Sequence, residues 1–458
     1  MKYIDFHRPT HVHFIGIGGI SMSGLAEILI DRGFTVSGSD QKPSPLTTHL
    51  EELGAIIRYP QAKENITPDI SLVVYTAAIH PDNPELAAAR DLHLVIISRA
   101  ELLGAMMEHY HRSVAIAGTH GKTTTTSMLA SVLLQENADP TISVGGILPQ
   151  IQSNIRLGHS DIFVTEACEY TNSFLSFYPR YSIILNIEED HLDFFKDIDD
   201  IRSSFRRFMK NTAEDGIIIN GEIDHLKELT EGISAKIVTF GFSSSCDFYP
   251  TQISYDEKGC ASFTPVYRGE ELEPITLSVP GHHNIGNALA VIALCQQLEI
   301  QYSIIASGLA SFTGASRRFE YKGTYHGATI IDDYAHHPTE IAASLSAAEK
   351  VSHKRLIVVF QPHTYTRTRA FLDSFADALK TADIVILAKI FAAREQDIYG
   401  VSSEDIRKRL TDAGVESYYF DTFEEIEKYL QKNLVNGDLL ITMGAGDVVK
   451  VGEDLLSE

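Results

Sequence analysis

The stretch Ser113-Val-Ala-Ile-Ala-Gly-Thr-His-Gly-Lys-Thr-Thr-Thr-Thr126 holds an apolar run, a glycine turn and the start of a Thr-rich helix, in that order. A buried strand that feeds a helix through a tight turn is the building unit of a parallel α/β sheet. It is also the setting of a phosphate loop. Glycines let backbone N–H groups wrap an oxyanion, and the helix N-terminus adds positive potential. In that reading Lys122 meets the terminal phosphates and the Thr123 hydroxyl binds Mg²⁺. The spacing departs from the common G-x-x-x-x-G-K-[ST] pattern, because Ile116 stands where the first glycine would be. A structural Gly turn with a Thr-rich cap is the alternative.

Working outward, three blocks appear. Residues 1–110 alternate strands (His11–Ile17, Phe34–Ser39, Ser71–Thr76, Leu94–Ile97) with helical segments (Ser21–Ile30, Ala100–Met107). Residues 111–314 restart at the phosphate loop and continue with strands Ile162–Thr165 and Tyr181–Asn186. Within that block, residues 236–280 read as short antiparallel strands with turns, and Asn284–Leu298 as a closing helix. Residues 315–458 alternate again, with strands Ala328–Ile331, Leu356–Phe360, Ile384–Leu387 and Leu439–Thr442 and helices near 339–349, 369–380, 403–412 and 423–433. The expected fold is three-domain α/β: two Rossmann-like open units flanking a central P-loop ATPase-like domain with an antiparallel β annex.

Composition narrows the function. The net charge of −23 argues against a nucleic-acid binder, which needs a basic face. No stretch approaches a membrane helix, and MKYIDFHRPTHVHF has no signal-peptide layout. Cys168, Cys246, Cys260 and Cys295 form no C-x-x-C pair, so reduced thiols in a cytoplasmic protein are expected.

A helix dipole supplies only about 0.3–1 kcal/mol at an exposed site, so a polyphosphate needs metal ligands from elsewhere. Glu166 ends one predicted strand and His191 follows another, in Asn186-Ile-Glu-Glu-Asp-His191. Parallel strands of one sheet end on the same edge, where both could reach the loop. Spacing alone leaves His191 equally readable as a loop histidine capping a neighbour. A second glycine turn, Gly16-Ile-Gly18-Gly19-Ile-Ser21, with Asp40 at the end of the next strand, fits a dinucleotide, any other diphosphate ester, or a structural turn.

The ordered set of motifs resembles the Mur ligase family, which builds the peptide stem of bacterial peptidoglycan, and within it the alanine-adding branch. Besides the two glycine loops it includes Pro280-Gly-His-His-Asn-Ile-Gly-Asn-Ala-Leu289, Ser316-Arg-Arg-Phe-Glu320, Asp332-Asp-Tyr-Ala-His-His-Pro338 and Phe360-Gln-Pro-His-Thr-Tyr-Thr-Arg367. The resemblance implies an ATP-dependent ligase that joins L-alanine to the lactyl carboxylate of UDP-N-acetylmuramate through an acyl phosphate, with two Mg²⁺ ions, as a monomer or homodimer. It implies a UDP-sugar domain (1–110), an ATP domain (111–314) and a closing domain (315–458).

By the same resemblance Gly16, Gly18, Gly19, Ser21, Asp40, Thr76 and Arg99 bind the UDP-sugar. Gly118, Thr119, His120, Gly121, Lys122, Thr123, Thr124, His283, Asn284 and Asn287 bind ATP, and Thr123, Glu166 and His191 bind metal. Lys122, Arg317, Arg318 and His337 are implied in catalysis. Tyr334, His336, His363, Tyr365 and Arg367 are implied at the amino acid, where an arginine fork suits its carboxylate. His337 or His363 is the expected base for the amine. The chain departs from the family at Cys168, Tyr170, Ala335 and Thr364. Arg206 stands where other branches place a carbamylated lysine. Two rival readings from the loops alone are a regulatory ATPase and an NAD(P) oxidoreductase. Folate–polyglutamate ligases share only the ATP block.

Overall fold

The computed structural model describes residues 3–76, 78–393 and 395–457. They form the expected three α/β units, each with its own sheet. The first sheet is wholly parallel, in the order Ile56–Arg58, Thr35–Ser39, His11–Ile15, Leu72–Tyr75, Val95–Ser98. Strand order reverses between His11–Ile15 and Leu72–Tyr75. Such a switch point opens a crevice at the carboxyl edge, and here it receives the first glycine loop and Thr76.

In the central sheet the phosphate-loop strand Arg112–Ala117 lies between Tyr181–Ile184 and Ile162–Ala167, parallel to both. Their carboxyl ends therefore deliver Gly118, the Asn186–His191 loop and Glu166 to one edge. Side chains of the strand alternate between two cores. Val114 and Ile116 pack with the helices Lys122–Gln135 and His283–Gln297, while Ala115 and Ala117 face Phe174, Phe205 and Phe208. The annex is antiparallel, built from Phe248–Tyr255, Cys260–Tyr267 and Ile275–Pro280.

The third sheet runs Glu320–Tyr325, Ala328–Asp333, Leu439–Met443, Leu356–Phe360, Ile384–Leu387, Glu416–Tyr419, parallel except for its first strand. One expected helix is corrected. The segment near 369–380 is two helices, Tyr365–Ala370 and Leu372–Leu379, broken at Phe371 (φ −116°), whose ring packs edge-on against His337.

The two domain junctions differ. The first and second units share one apolar cluster, in which Leu102, Leu103 and Met106 of the helix Arg99–Met107 join Phe174 and Phe177. Gly104 permits that approach, since a Cβ there would stand 2.0 Å from the carbonyl oxygen of Ser176. The third unit has its own cores and meets the second through polar groups. Among the described residues no helix is long and apolar enough to cross a membrane.

Candidate active site

The phosphate loop takes its shape from its glycines and from one asparagine. Gly121 has φ +83°, and a Cβ there would meet the Asn287 Oδ1 at 2.8 Å, so only glycine fits. Asn186 grips His120 by both backbone groups: its Oδ1 accepts the His120 N–H (2.8 Å) and its Nδ2 donates to the His120 carbonyl (3.1 Å). The helix begins at Lys122, so its free N–H groups open on the loop. The Lys122 Nζ donates to the Gly118 and Thr119 carbonyls and to Glu169 at 2.9 Å. Burial works against this ammonium, but the buried Glu169 carboxylate outweighs it and raises its pKa.

Glu166 and Thr123, expected to bind metal, converge on one glycine pair. The Glu166 Oε1 accepts the Gly145 N–H at 2.6 Å, and Gly146 lies against the Thr123 methyl. His191 arrives from the other side, stacked on Tyr170 at 4.5 Å, with its Nε2 at 3.8 Å from the Glu169 Oε1. Glu169 thus stands between Lys122 and His191.

Two cavities open on either side. The smaller, about 310 Å³, is lined by His120, Gly121, Thr124, His283, Asn284 and Asn287 from the central unit and by Arg318, Asp333 and Glu340 from the third. Burial lowers His283 to about 4 and raises Asp333 to about 6. The larger, about 800 Å³, draws on all three units: Thr76 and Arg99, then Cys168, Tyr170 and His191, then His363 and Arg367. Among the described residues Arg99 has no ion-pair partner, and burial depresses its pKa. A partly buried guanidinium with no ion-pair partner keeps its charge available to the cavity it lines.

Several expected residues stand differently. Arg317 does not reach the smaller cavity: its guanidinium bonds Asp332 (2.9 Å) and the Gly444 and Gly446 carbonyls (2.7 and 3.1 Å). Buried Asp332 needs that cation, and Arg318 is left to line the cavity. Both guanidiniums lie over the Tyr334 ring, at 4.9 and 5.1 Å. Arg367 is not a free fork. Its Nε and Nη2 are spent on Asp190 (3.1 and 2.9 Å), because that carboxylate is buried in the seam. Burial would neutralise Asp190, yet Arg367 keeps its pKa well below the usual range.

Of the two expected bases, His337 has both ring nitrogens engaged. The His337 Nδ1 accepts the Thr339 N–H and its Nε2 donates to the Glu189 carbonyl, while the His363 Nδ1 faces Arg367. His336 is held by the Tyr334 carbonyl and Glu340, and burial lowers it to about 4. Tyr365 opens its helix and lines neither cavity. In the first unit, the Asp40 Oδ2 accepts the Gly18 N–H (2.8 Å), so it holds the glycine loop together, and Gly16 abuts Thr76. Ser21 is exposed, and Gly18, Gly19 and Ser21 line neither cavity.

Sequence reasoning missed Glu169, Glu188, Asp190 and Glu340 as partners. The signal was their type and place: Glu188 and Asp190 lie inside the Asn186–His191 motif, and Glu169 and Glu340 within three residues of residues already singled out. What was lacking was the distance in space. His120, Glu188 and His337 also lie near enough together to hold a cation.

Residues 11–111 match the Mur ligase family catalytic domain, 116–295 the Mur ligase middle domain, and 317–446 the Mur ligase glutamate ligase domain. The chain is 61% identical to a UDP-N-acetylmuramate–L-alanine ligase of Agathobacter rectalis and 56% identical to one of Lachnospira eligens, over all of both chains in each case. Among solved structures it is similar to a UDP-N-acetylmuramate–alanine ligase of Thermotoga maritima (TM-score 0.80, 30% identity, 98% of each chain). A murein peptide ligase of Psychrobacter arcticus is more distant (TM-score 0.68, 25% identity, 98% of each chain). Matches along the whole chain, in the same order as the glycine loop, the phosphate loop and the polar seam, make this chain a member of the Mur ligase family.

Proposed function

We propose that the chain uses ATP to join L-alanine to the lactyl carboxylate of UDP-N-acetylmuramate, releasing ADP and phosphate, as a step in peptidoglycan precursor synthesis in the cytoplasm. The observation that carries this is full-length identity of 61% to a ligase of that name. We take residues 1–110 as the UDP-sugar domain, 111–314 as the ATP domain and 315–458 as the closing domain. One chain supplies every group of the site, which suits a monomer or a homodimer with independent sites.

A free carboxylate resists amines because its charge repels a nucleophile. Transfer of the γ-phosphoryl group to a carboxylate oxygen, with ADP leaving, removes that barrier. The amine, as free base, then forms the C–N bond, and phosphate departs with the former carboxylate oxygen. ATP takes the smaller cavity, where Lys122 and Arg318 supply positive charge from two domains. The UDP-sugar takes the larger cavity, its diphosphate near the glycine loop and Arg99. Arg317 positions Arg318 through the shared Tyr334 stack, and His337 positions the helix that begins at Pro338. Arg367 and Asp190 form one wall of the amino-acid pocket beside His363.

Thr123, Glu166 and His191 would hold the divalent cation: two offer oxygen donors, which suit Mg²⁺, and Glu169 adds negative charge behind His191. When bound, Mg²⁺ neutralises phosphate charge. Closure of the polar seam keeps water from the acyl phosphate.

Incubation of the protein with ATP, L-alanine and UDP-N-acetylmuramate tests the reading. Mass spectrometry should find the alanylated conjugate, and omission of any reactant should abolish it. A conjugate formed only with a preassembled tripeptide would instead make the chain a murein peptide ligase.

A further inference from the structure

At the edge of the smaller cavity, between the phosphate loop and the third domain, lies a charged cluster whose contacts across the seam the roles above leave unexplained. The His120 ring is mostly buried, and each of its nitrogens faces a carboxylate: Nε2 stands 3.4 Å from the Glu188 Oε2, and Nδ1 3.3 Å from the Glu340 Oε1. Glu188 belongs to the same domain as His120; Glu340 belongs to the other. Glu340 is the third residue of the helix Pro338–Ala348 and completes its capping box. Its Oε2 takes the His336 and His337 N–H groups at 3.1 and 3.3 Å. Capping occupies that oxygen and fixes the carboxylate. The other oxygen is thereby aimed across the seam at His120, with Arg318 at 3.9 Å.

A cap needs only solvent-facing geometry, and capping glutamates normally stand in water. This one is 13% exposed. His120 in turn is locked by Asn186 at its backbone, so the contact joins two rigid pieces. The alternative, a cation held by His120, Glu188 and His337, is disfavoured because His337 spends both ring nitrogens on backbone groups. Two carboxylates, at 3.4 and 3.3 Å, place negative charge on either side of the imidazole and favour its protonated form. Burial opposes that proton, but Glu188 and Glu340 raise His120 to about 9.

We propose that Glu340 is a positioning residue that fastens the closing domain to the phosphate loop through His120. This brings Arg318 and Lys122 to bear on the same phosphoryl group. The proposal rests on the ATP-ligase reading above.

A double-mutant cycle tests it, with Glu340→Gln, His120→Gln and both together. Each single change should lower kcat about tenfold while leaving the KM for the UDP-sugar within about twofold. The double variant should be no worse than the weaker single one, because both remove one contact. Glu340→Asp should recover part of the loss. If Glu340 only caps its helix, glutamine caps in its place, Glu340→Gln keeps kcat within about twofold and shows no coupling to His120→Gln, which overturns the proposal. The cycle is repeated on affinity for a non-hydrolysable ATP analogue, read by calorimetry. Coupling there without any alanylated product sinks the substrate assignment and keeps the fastening. Multiplicative effects in both readouts, with product formed by the unaltered protein, sink the fastening alone.

Discussion

At the residue scale, the account turns on Lys122 and the carboxylate behind it. Glu169 is 2% exposed and its counter-charge is Lys122. Removing one partner of a buried pair strands the other charge, at a cost of about 3–5 kcal/mol. Lys122→Ala should therefore lose turnover by about 10³-fold or more and lower stability as well, in activity assays and urea denaturation. Lys122→Ala with Glu169→Gln should regain most of the stability and none of the activity. Recovery of activity in the double variant would remove Lys122 from the chemistry. Lys122 was singled out by the Gly-Lys-Thr turn and Glu166 by its place at a strand end, while Arg99 came only from the family resemblance. Glu169 and Asp190 were not: their partners lie 47 and 177 residues away, and only the folded sheet brings those loops to one edge. Arg317 misled for the same reason, since nothing in the sequence tells which of two adjacent arginines must neutralise Asp332.

At the scale of elements, apolar runs located the central strands well. Leu356–Phe360 is fully buried, and its five residues read as one unbroken apolar run. The strands that escaped notice include Thr141–Leu148 and Gly216–Asn220 inside the central sheet and two short ones at sheet edges. Ile56–Arg58 and Glu416–Tyr419 are partly exposed and mix apolar with polar residues, so neither alternation nor a continuous run marks them. The break at Phe371 has no Pro or Gly to announce it. It is set by packing of that ring on His337 and Phe375, a tertiary cause invisible in local sequence. The glycine loop, the phosphate loop and the Asn186–His191 loop each follow an interior strand, so the missed edge strands did not move them.

At the scale of the molecule, an apolar junction holds the first two domains together while a polar, charged seam joins the third. Domains that meet through polar surfaces part more easily, so hydrogen exchange should find the third domain's seam opening before the junction of the first two. The seam also fixes how stability responds to pH. His283, His336 and His363 are lowered to about 4 by burial, against an ordinary value near 6.5. Between pH 4 and 6.5 the unfolded chain binds more protons at these three, so stability falls as pH falls through that range. Asp333, raised to about 6 by burial, opposes this with one proton against three. His120 works the other way. Its pKa is raised to about 9, so its contribution is complete below pH 6.5 and is lost as pH rises towards 9. Melting temperature should peak near pH 6.5 and fall on both sides. In His120→Gln the loss between pH 6.5 and 9 should shrink; an unchanged alkaline limb would contradict the bridged imidazolium. The most direct test of the whole account follows the oxygen atoms. With UDP-N-acetylmuramate labelled by ¹⁸O in its lactyl carboxylate, phosphoryl transfer to that group predicts one ¹⁸O atom in the phosphate released for each alanine joined. Phosphate free of label, with the alanylated product still formed, would contradict it.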